Sequence, residues 1–213
     1  GVYLAWRAYL RTFLIVEFIP ADRKALAEEA LALSFKALEK DPMNSYVAAF
    51  GAHVQSIVRQ SHVGAFELAE RSLQLNPSNP IGWVSLGIAE CHLGKSQVGL
   101  AHALRARELS GTTPFRFFVN CQASIAGSMA GDVDSAITLA EASHGIAPGF
   151  KPPMRFLSAL YTLRGRHADS QEMVDRLRVS EPNFSYDLLR DKSYPVSSLQ
   201  RSGLLTKLPG RQV

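Results

Sequence analysis

Five short stretches of this chain end alike: KALEKDP (36–42), RSLQLNP (71–77), RARELSG (105–111), ASHGIAP (142–148) and RLRVSEP (176–182). From Pro42 through Pro77, Gly111 and Pro148 to Pro182 the steps are 35, 34, 37 and 34 residues. No other feature restricts the fold as much. A unit repeated at a near-constant period of this length cannot bury its apolar face alone and has to stack on copies of itself. The prolines stop one unit before the next begins, because a proline ring cannot continue a helix.

Within the period the pattern is helix, turn, helix. The clearest copy is 83–111. Trp83, Leu86, Gly87 and Ala89 share the first helix, Gly94 makes the turn, and Ala103 and Ala106 lie on the second helix. Small residues such as Gly87 and Ala106 let two helices approach, and Trp83 and Leu86 fill the space beside them. Gly94 and Gly165 suit the left-handed end of a helix. Asp132 suits the start of one, where a short carboxylate caps exposed N–H groups.

The other copies are sparser. The second has Phe50, Gly51, Ala65, Ala69 and Ser72. The fourth starts near Pro114 and has Ala123, Ser124, Gly131, Ala136 and Ala140. The fifth has Leu157, Ser158, Tyr161, Gly165, Val174 and Leu177. In the first, Tyr3, Trp6, Leu10, Phe13 and Leu14 step at helical spacing, followed by a helix at about 23–40 with Ala30 and Ala37 in register.

The pattern Trp83…Leu86-Gly87…Gly94…Ala103…Ala106 resembles the tetratricopeptide repeat, W-x2-L-G…G…A…P. The resemblance implies an all-α, tetratricopeptide-type α-solenoid. Residues 1–182 are expected to form an array with repeats at about 1–42, 43–77, 78–111, 112–148 and 149–182. Residues 183–213 lose the pattern and are expected to form a capping segment, with a short helix at about 196–207 around Leu199, Gly203 and Leu204. A narrower resemblance lies in WRAYLRTFLIVEF, KALEKDP, NSYVAAFGAHV, TPFRFFVNCQASIAGSMAGDVDSAITLAEAS and SGLLTKLPG. These are similar to the C-terminal repeat region of bacterial multidomain regulators, where the repeats follow a nucleotide-cyclase or a winged-helix DNA-binding domain. That resemblance implies a part in signal transduction or transcription regulation. No cyclase or winged-helix sequence is present in these residues.

Composition agrees with a packed domain: 46% of residues are hydrophobic and 20% charged. The net charge is +4, and residues 151–213 carry the basic excess. Two cysteines without a CxxC exclude a disulfide scaffold. The most apolar early run, TFLIVEFI at 12–19, is short and contains Glu17, whereas a spanning helix needs roughly 20 apolar residues. No transmembrane segment is expected. The location is read as cytoplasmic, or periplasmic if a membrane helix stands upstream.

Glu90, Cys91 and His92 stand in a row and suggest chemistry. Neighbours on a helix point about 100° apart, so Cys91 and His92 cannot form a nucleophile–base pair with each other. The remaining histidines, at 53, 62, 102, 144 and 167, sit in no metal or catalytic motif. Glu28, Glu29, Glu67, Glu70, Glu108 and Glu141 fall on second helices, where they are expected to face solvent. No catalytic residue, metal or cofactor is expected, and the chain is read as no enzyme.

In tetratricopeptide arrays the first helix of each repeat lines an inner groove. Register from Trp83 places Val84, Ser85 and Ile88 there, then Phe118, Cys121, Gln122 and Ile125, then Arg155 and Phe156 with Ala159. Such a lining suits a protein or peptide partner, or a regulatory ligand. Two alternatives stand beside it. Trp6, Tyr9 and Phe13 on the N-terminal helix suit self-association. Phe184, Tyr186 and Tyr194 among Arg190 and Lys192 form a weak stacking-plus-charge pattern for nucleic acid.

Overall fold

The computed structural model describes residues 1–19 and 22–208. Residues 20, 21 and 209–213, including the end of the expected tail, lie outside the described residues. The chain divides into two compact units, Gly1–Thr113 and Pro114–Val213. Among the described residues there is no strand.

The first unit holds three helix pairs: α1 (Val2–Val16) with α2 (Arg23–Lys40), α3 (Ser45–Val54) with α4 (His62–Leu75), and α5 (Pro80–His92) with α6 (Ser96–Leu109). Each pair packs closely. The first helices also pack on one another, α1 on α3 and α3 on α5. The starts follow from short polar side chains. Asp22 accepts hydrogen bonds from the N–H groups of Lys24 and Ala25, both at 3.0 Å. Asn44 does the same for Tyr46 and Val47, and Asn79 for Ile81 and Gly82, with Pro80 on the first turn. The repeated alanines of the second helices, Ala30, Ala37, Ala65, Ala69, Ala103 and Ala106, are fully or almost fully buried. They are the small residues that permit the close packing.

The first-to-second-helix turn is where the copies differ most. In the third pair Gly94 takes it at φ +86°. In the second pair α3 runs on into a π-helical turn, Gln55–Arg59, and Gln60 takes the left-handed position at φ 52°.

The second unit holds α7 (Arg116–Ala130) with α8 (Val133–Ile146), and α9 (Lys151–Leu163) with α10 (His167–Ser180). Asp132 caps α8 through the N–H of Ser135 at 3.1 Å, as its position after Gly131 suggests. The segment after Pro182 then departs from the expected helix at 196–207. It forms a 3₁₀ turn at Leu188–Arg190, a five-residue helix α11 (Ser197–Arg201), and a second 3₁₀ turn at Leu204–Lys207. Gly203 interrupts the helix with φ +73°.

This segment packs onto its own unit. Its α11 packs against α7, the first helix of the second unit's earlier pair, and the stretch belongs to the second unit. The reason is apolar: Phe184, Leu189, Tyr194, Val196, Leu199, Leu204, Leu205 and Leu208 are all buried. Taking these side chains out of water is what draws the stretch down onto the unit.

Candidate functional site

The Glu90-Cys91-His92 run resolves into three separate partnerships. Glu90 pairs with Nδ1 of His102 at 2.6 Å, and the His102 ring lies 5.1 Å from Trp83. Cys91 donates to the carbonyl of Ser96 at 3.7 Å. Burial, then the charge of Glu90, pushes its thiol up to about 12, so at neutral pH it carries no thiolate. His92 stacks on His62 of α4, with centroids 4.1 Å apart and planes 5° apart. Trp83 donates through Nε1 to the carbonyl of Pro77 at 2.7 Å, fixing the entry to α5. Among the described residues, no three His, Cys, Asp or Glu side chains come together as a metal would need.

The groove residues fall on the expected first helices, but most of them are packed inside. Val84, Ser85 and Ile88 on α5 are buried, and the Ser85 hydroxyl donates to the carbonyl of Ala49 on α3 at 3.5 Å. Phe118 and Cys121 on α7 are buried, while Gln122 and Ile125 are half-buried. On α9 every residue from Lys151 to Tyr161 is buried, Phe156 and Ala159 among them.

Arg155 is 0% exposed and is held by partners from the chain itself. Its guanidinium pairs with Glu181, which also receives Lys151 Nζ at 3.3 Å. The Tyr194 hydroxyl donates to the other carboxylate oxygen of Glu181, and its ring lies 4.9 Å from the guanidinium. Burial alone would raise the Glu181 carboxyl. The charge of Arg155, hydrogen bonds from Arg155 and Tyr194, and the charge of Lys151 outweigh that and hold it low. Burial pushes the Tyr194 hydroxyl well above the usual phenol range, so it remains a donor. Arg155 is thus a neutralised internal group. Register alone pointed to its helix correctly but could not show that Glu181 and Tyr194 would close over it.

The N-terminal helix also sorts differently from its sequence reading. Tyr9 is 0% exposed and belongs to the core. It lies 4.6 Å from Phe50, 5.0 Å from Phe13 and 5.9 Å from Trp6, centroid to centroid. The correction has a simple cause: Phe50 of the next pair covers Tyr9. Trp6 and Phe13 are half-buried. The exposed members of their stripe are Tyr3 at 72% and Leu10 at 50%, with Tyr46 exposed at the start of α3. Spacing had placed Tyr3 and Leu10 on this helix without marking them as the outward pair.

The stacking pattern for nucleic acid does not survive folding. Phe184 and Tyr194 are buried, and Tyr186 bonds through its hydroxyl to Ser170 and, at 3.1 Å, to Thr162. Many arginines of the basic C-terminal region pair with acids: Arg164 with Asp134, Arg166 with Glu141 and Asp169, Arg176 with Glu172, and Arg190 with Asp187. A platform for bases needs open ring faces beside uncommitted cations.

No protein-family model and no curated protein matches this sequence. Solved structures do match. PilW, described as a widely conserved type IV pilus biogenesis factor, superposes with a TM-score of 0.63 and 19% identity, covering 94% of this chain and 89% of that one. YrrB, described as a TPR protein with an unusual peptide-binding site, gives a TM-score of 0.52 and 22% identity, covering 74% and 79%. MamA gives 0.54 and 19%, covering 75% and 91%. The chain has the tetratricopeptide fold.

Within a tetratricopeptide frame, α1, α3 and α5 of the first unit and α7 and α9 of the second are the first helices of their repeats. Among the described residues, the exposed large apolar side chains on these first helices are Val2, Tyr3 and Leu10 on α1 and Tyr46 on α3, all in the first unit. In its second unit the C-terminal segment lies on the first helix α7. No helix among the described residues is long and apolar enough to cross a membrane.

Proposed function

We propose that this chain is a non-catalytic protein-interaction module that takes up a polypeptide on its first helices, as the binding part of a larger bacterial signalling or transcription-regulating protein. The observation that carries the reading is the α1 stripe Tyr3, Trp6, Leu10 and Phe13. These residues step by three, four and three positions along one helix face, with Tyr3 and Leu10 exposed. Aromatic and leucine side chains left in water on one face are the usual composition of an interface centre. In the same unit the buried Val84, Ser85 and Ile88 of α5 support α3, the helix next to α1, through packing and the Ser85–Ala49 hydrogen bond. The peptide-binding site named for YrrB supports a peptide as one form of partner. The place within a larger regulator draws on the sequence motifs from WRAYLRTFLIVEF onward.

The test is site-specific photocrosslinking from position 3 in cells, followed by reconstitution with the captured protein. Tyr3→Glu with Leu10→Glu is expected to weaken that complex by about tenfold or more, whereas Val179→Glu on the exposed side of α10 leaves it unchanged. Equal affinity for all three forms would remove the α1 surface as the partner site.

The same stripe favours a second reading, homo-oligomerisation through α1 around Trp6 and Phe13. Sedimentation separates the two: a concentration-dependent mass that Tyr3→Glu and Leu10→Glu abolish assigns the stripe to a second copy.

A further inference from the structure

The segment after Pro182 has the properties of a bound peptide. Its regular structure amounts to two 3₁₀ turns and the five residues of α11. Its backbone hydrogen bonds are short-range, from Gln200 N–H to Val196, Ser202 N–H to Ser198 and Thr206 N–H to Gly203. Polar side chains tie it to itself. Gln200 donates to the carbonyls of Leu189 at 3.0 Å and Asp191 at 2.7 Å, and Arg190 donates to those of Leu205 and Leu208 at 3.4 Å each. It presents leucines: Leu199 is fully buried, and Leu204, Leu205 and Leu208 nearly so. A short, internally bonded, leucine-bearing helix laid on one helix of a repeat is how a helical peptide ligand docks in a groove.

We propose that residues 195–208 are a resident ligand of the α7 face, and that this face is a binding surface for a leucine-bearing amphipathic segment, held closed in cis. The partner chemistry is read from the part that lies on α7: a short helix that buries one leucine beside a cation, as α11 does with Leu199 and Arg201, the Leu204–Leu205 turn packing behind it. Tethering gives the cis segment a high effective concentration, so a partner enters only when it binds more tightly or when the segment is released. The buried Tyr194–Glu181–Arg155 cluster stands at the near end of the segment and anchors it. The inference rests on the interaction-module reading but concerns α7 and not α1.

The test uses the full chain and a fluorescent synthetic peptide of residues 194–208, followed by anisotropy. Leu199→Asp, which loosens α11 from α7, is expected to bind this peptide about tenfold or more tightly than the wild-type chain does. Equal binding by both forms, or none by a Leu199→Asp chain that still melts cooperatively, overturns the proposal. Should Leu199→Asp fail to fold, hydrogen exchange on the wild-type chain decides. Amides of 197–206 are expected to exchange about a hundredfold faster than those of α9, by local opening. Equal protection makes the segment a fixed part of the core and overturns the proposal. Peptide capture at α7 does not involve Tyr3 or Leu10, so the α1 crosslinking result and this one fail independently.

Discussion

Gly87 of α5 and Gly99 of α6 meet backbone to backbone: a Cβ placed on Gly87 would lie 2.4 Å from the carbonyl oxygen of Gly99, and one on Gly99 would lie 2.3 Å from that of Gly87 and 2.6 Å from Cys91 Sγ. Each position meets a backbone carbonyl that cannot swing aside, so a methyl group at either one forces the two helices apart. Gly87→Ala and Gly99→Ala are each expected to destabilise the fold by about 1–3 kcal/mol. Gly145→Ala on the exposed side of α8, where a Cβ meets nothing within 4 Å, is expected to stabilise by about 0.5–1 kcal/mol. Urea unfolding of the three variants gives the opposite signs directly.

Gln60 occupies the left-handed turn that glycine occupies in the third, fourth and fifth pairs, at Gly94, Gly131 and Gly165. A side chain there crowds its own backbone. Gln60→Gly relieves that strain and loses some ground through a freer unfolded chain, with an expected net gain of about 0.5 kcal/mol. Gln60→Val is expected to lose more than about 1 kcal/mol, because a β-branched residue fits φ 52° poorly. A shift of the thermal midpoint in the same direction for both variants would refute the strain assignment.

The repeat frame could be read from residues because its signals are local. Trp83, Leu86, Gly87 and Gly94 lie within one helix and its turn, and spacing alone fixes their register. The burial of individual side chains was less accessible, because distant segments decide it. Tyr9 and Leu10 are adjacent on α1, about 100° apart, and it is Phe50 and His53 from the next pair that put Tyr9 inside while Leu10 stays out. Arg155 was assigned to the right helix, but Tyr194 and Glu181 determine whether a partner can reach it. Tyr194 comes from a stretch without periodicity, so no pattern announced it. Gly99 carried no special signal either, although its partner Gly87 did.

His53 on α3 is buried against the Tyr9 ring, at 4.9 Å between centroids. Burial lowers its pKa from 6.5 to about 3. Between those values the unfolded chain holds a proton that the folded chain does not. Stability is therefore complete above about pH 6.5 and falls with decreasing pH, by about 1.4 kcal/mol per unit from this group. Chemical denaturation at several pH values is expected to show this slope in the wild-type chain. His53→Leu is expected to flatten it by that amount, whatever its absolute stability. An unchanged slope would mean that His53 charges without unfolding.

Glu181 is a carboxylate shared by Arg155, Lys151 and Tyr194, so its charge stands against two buried cations at once. Glu181→Gln keeps the shape and removes the charge, and taking the carboxylate from the buried Arg155 guanidinium is expected to cost about 3–5 kcal/mol. Arg155→Met combined with Glu181→Leu removes the more deeply buried cation together with the carboxylate, so only Lys151 loses that partner, and it is expected to cost less than Glu181→Gln alone. The pH dependence has a defined sign. The folded carboxyl titrates below its ordinary value of 4.5, so its contribution is present above that pH and is lost as pH falls through the lower folded value. Because Tyr194 donates to the same carboxylate, acid should also loosen the segment that follows it. Hydrogen exchange at 197–206, followed from pH 7 towards pH 3, is expected to speed up beyond the intrinsic pH effect in the wild-type chain. The Arg155→Met, Glu181→Leu chain should show no such excess, and an equal excess in both would separate the segment from the ion cluster.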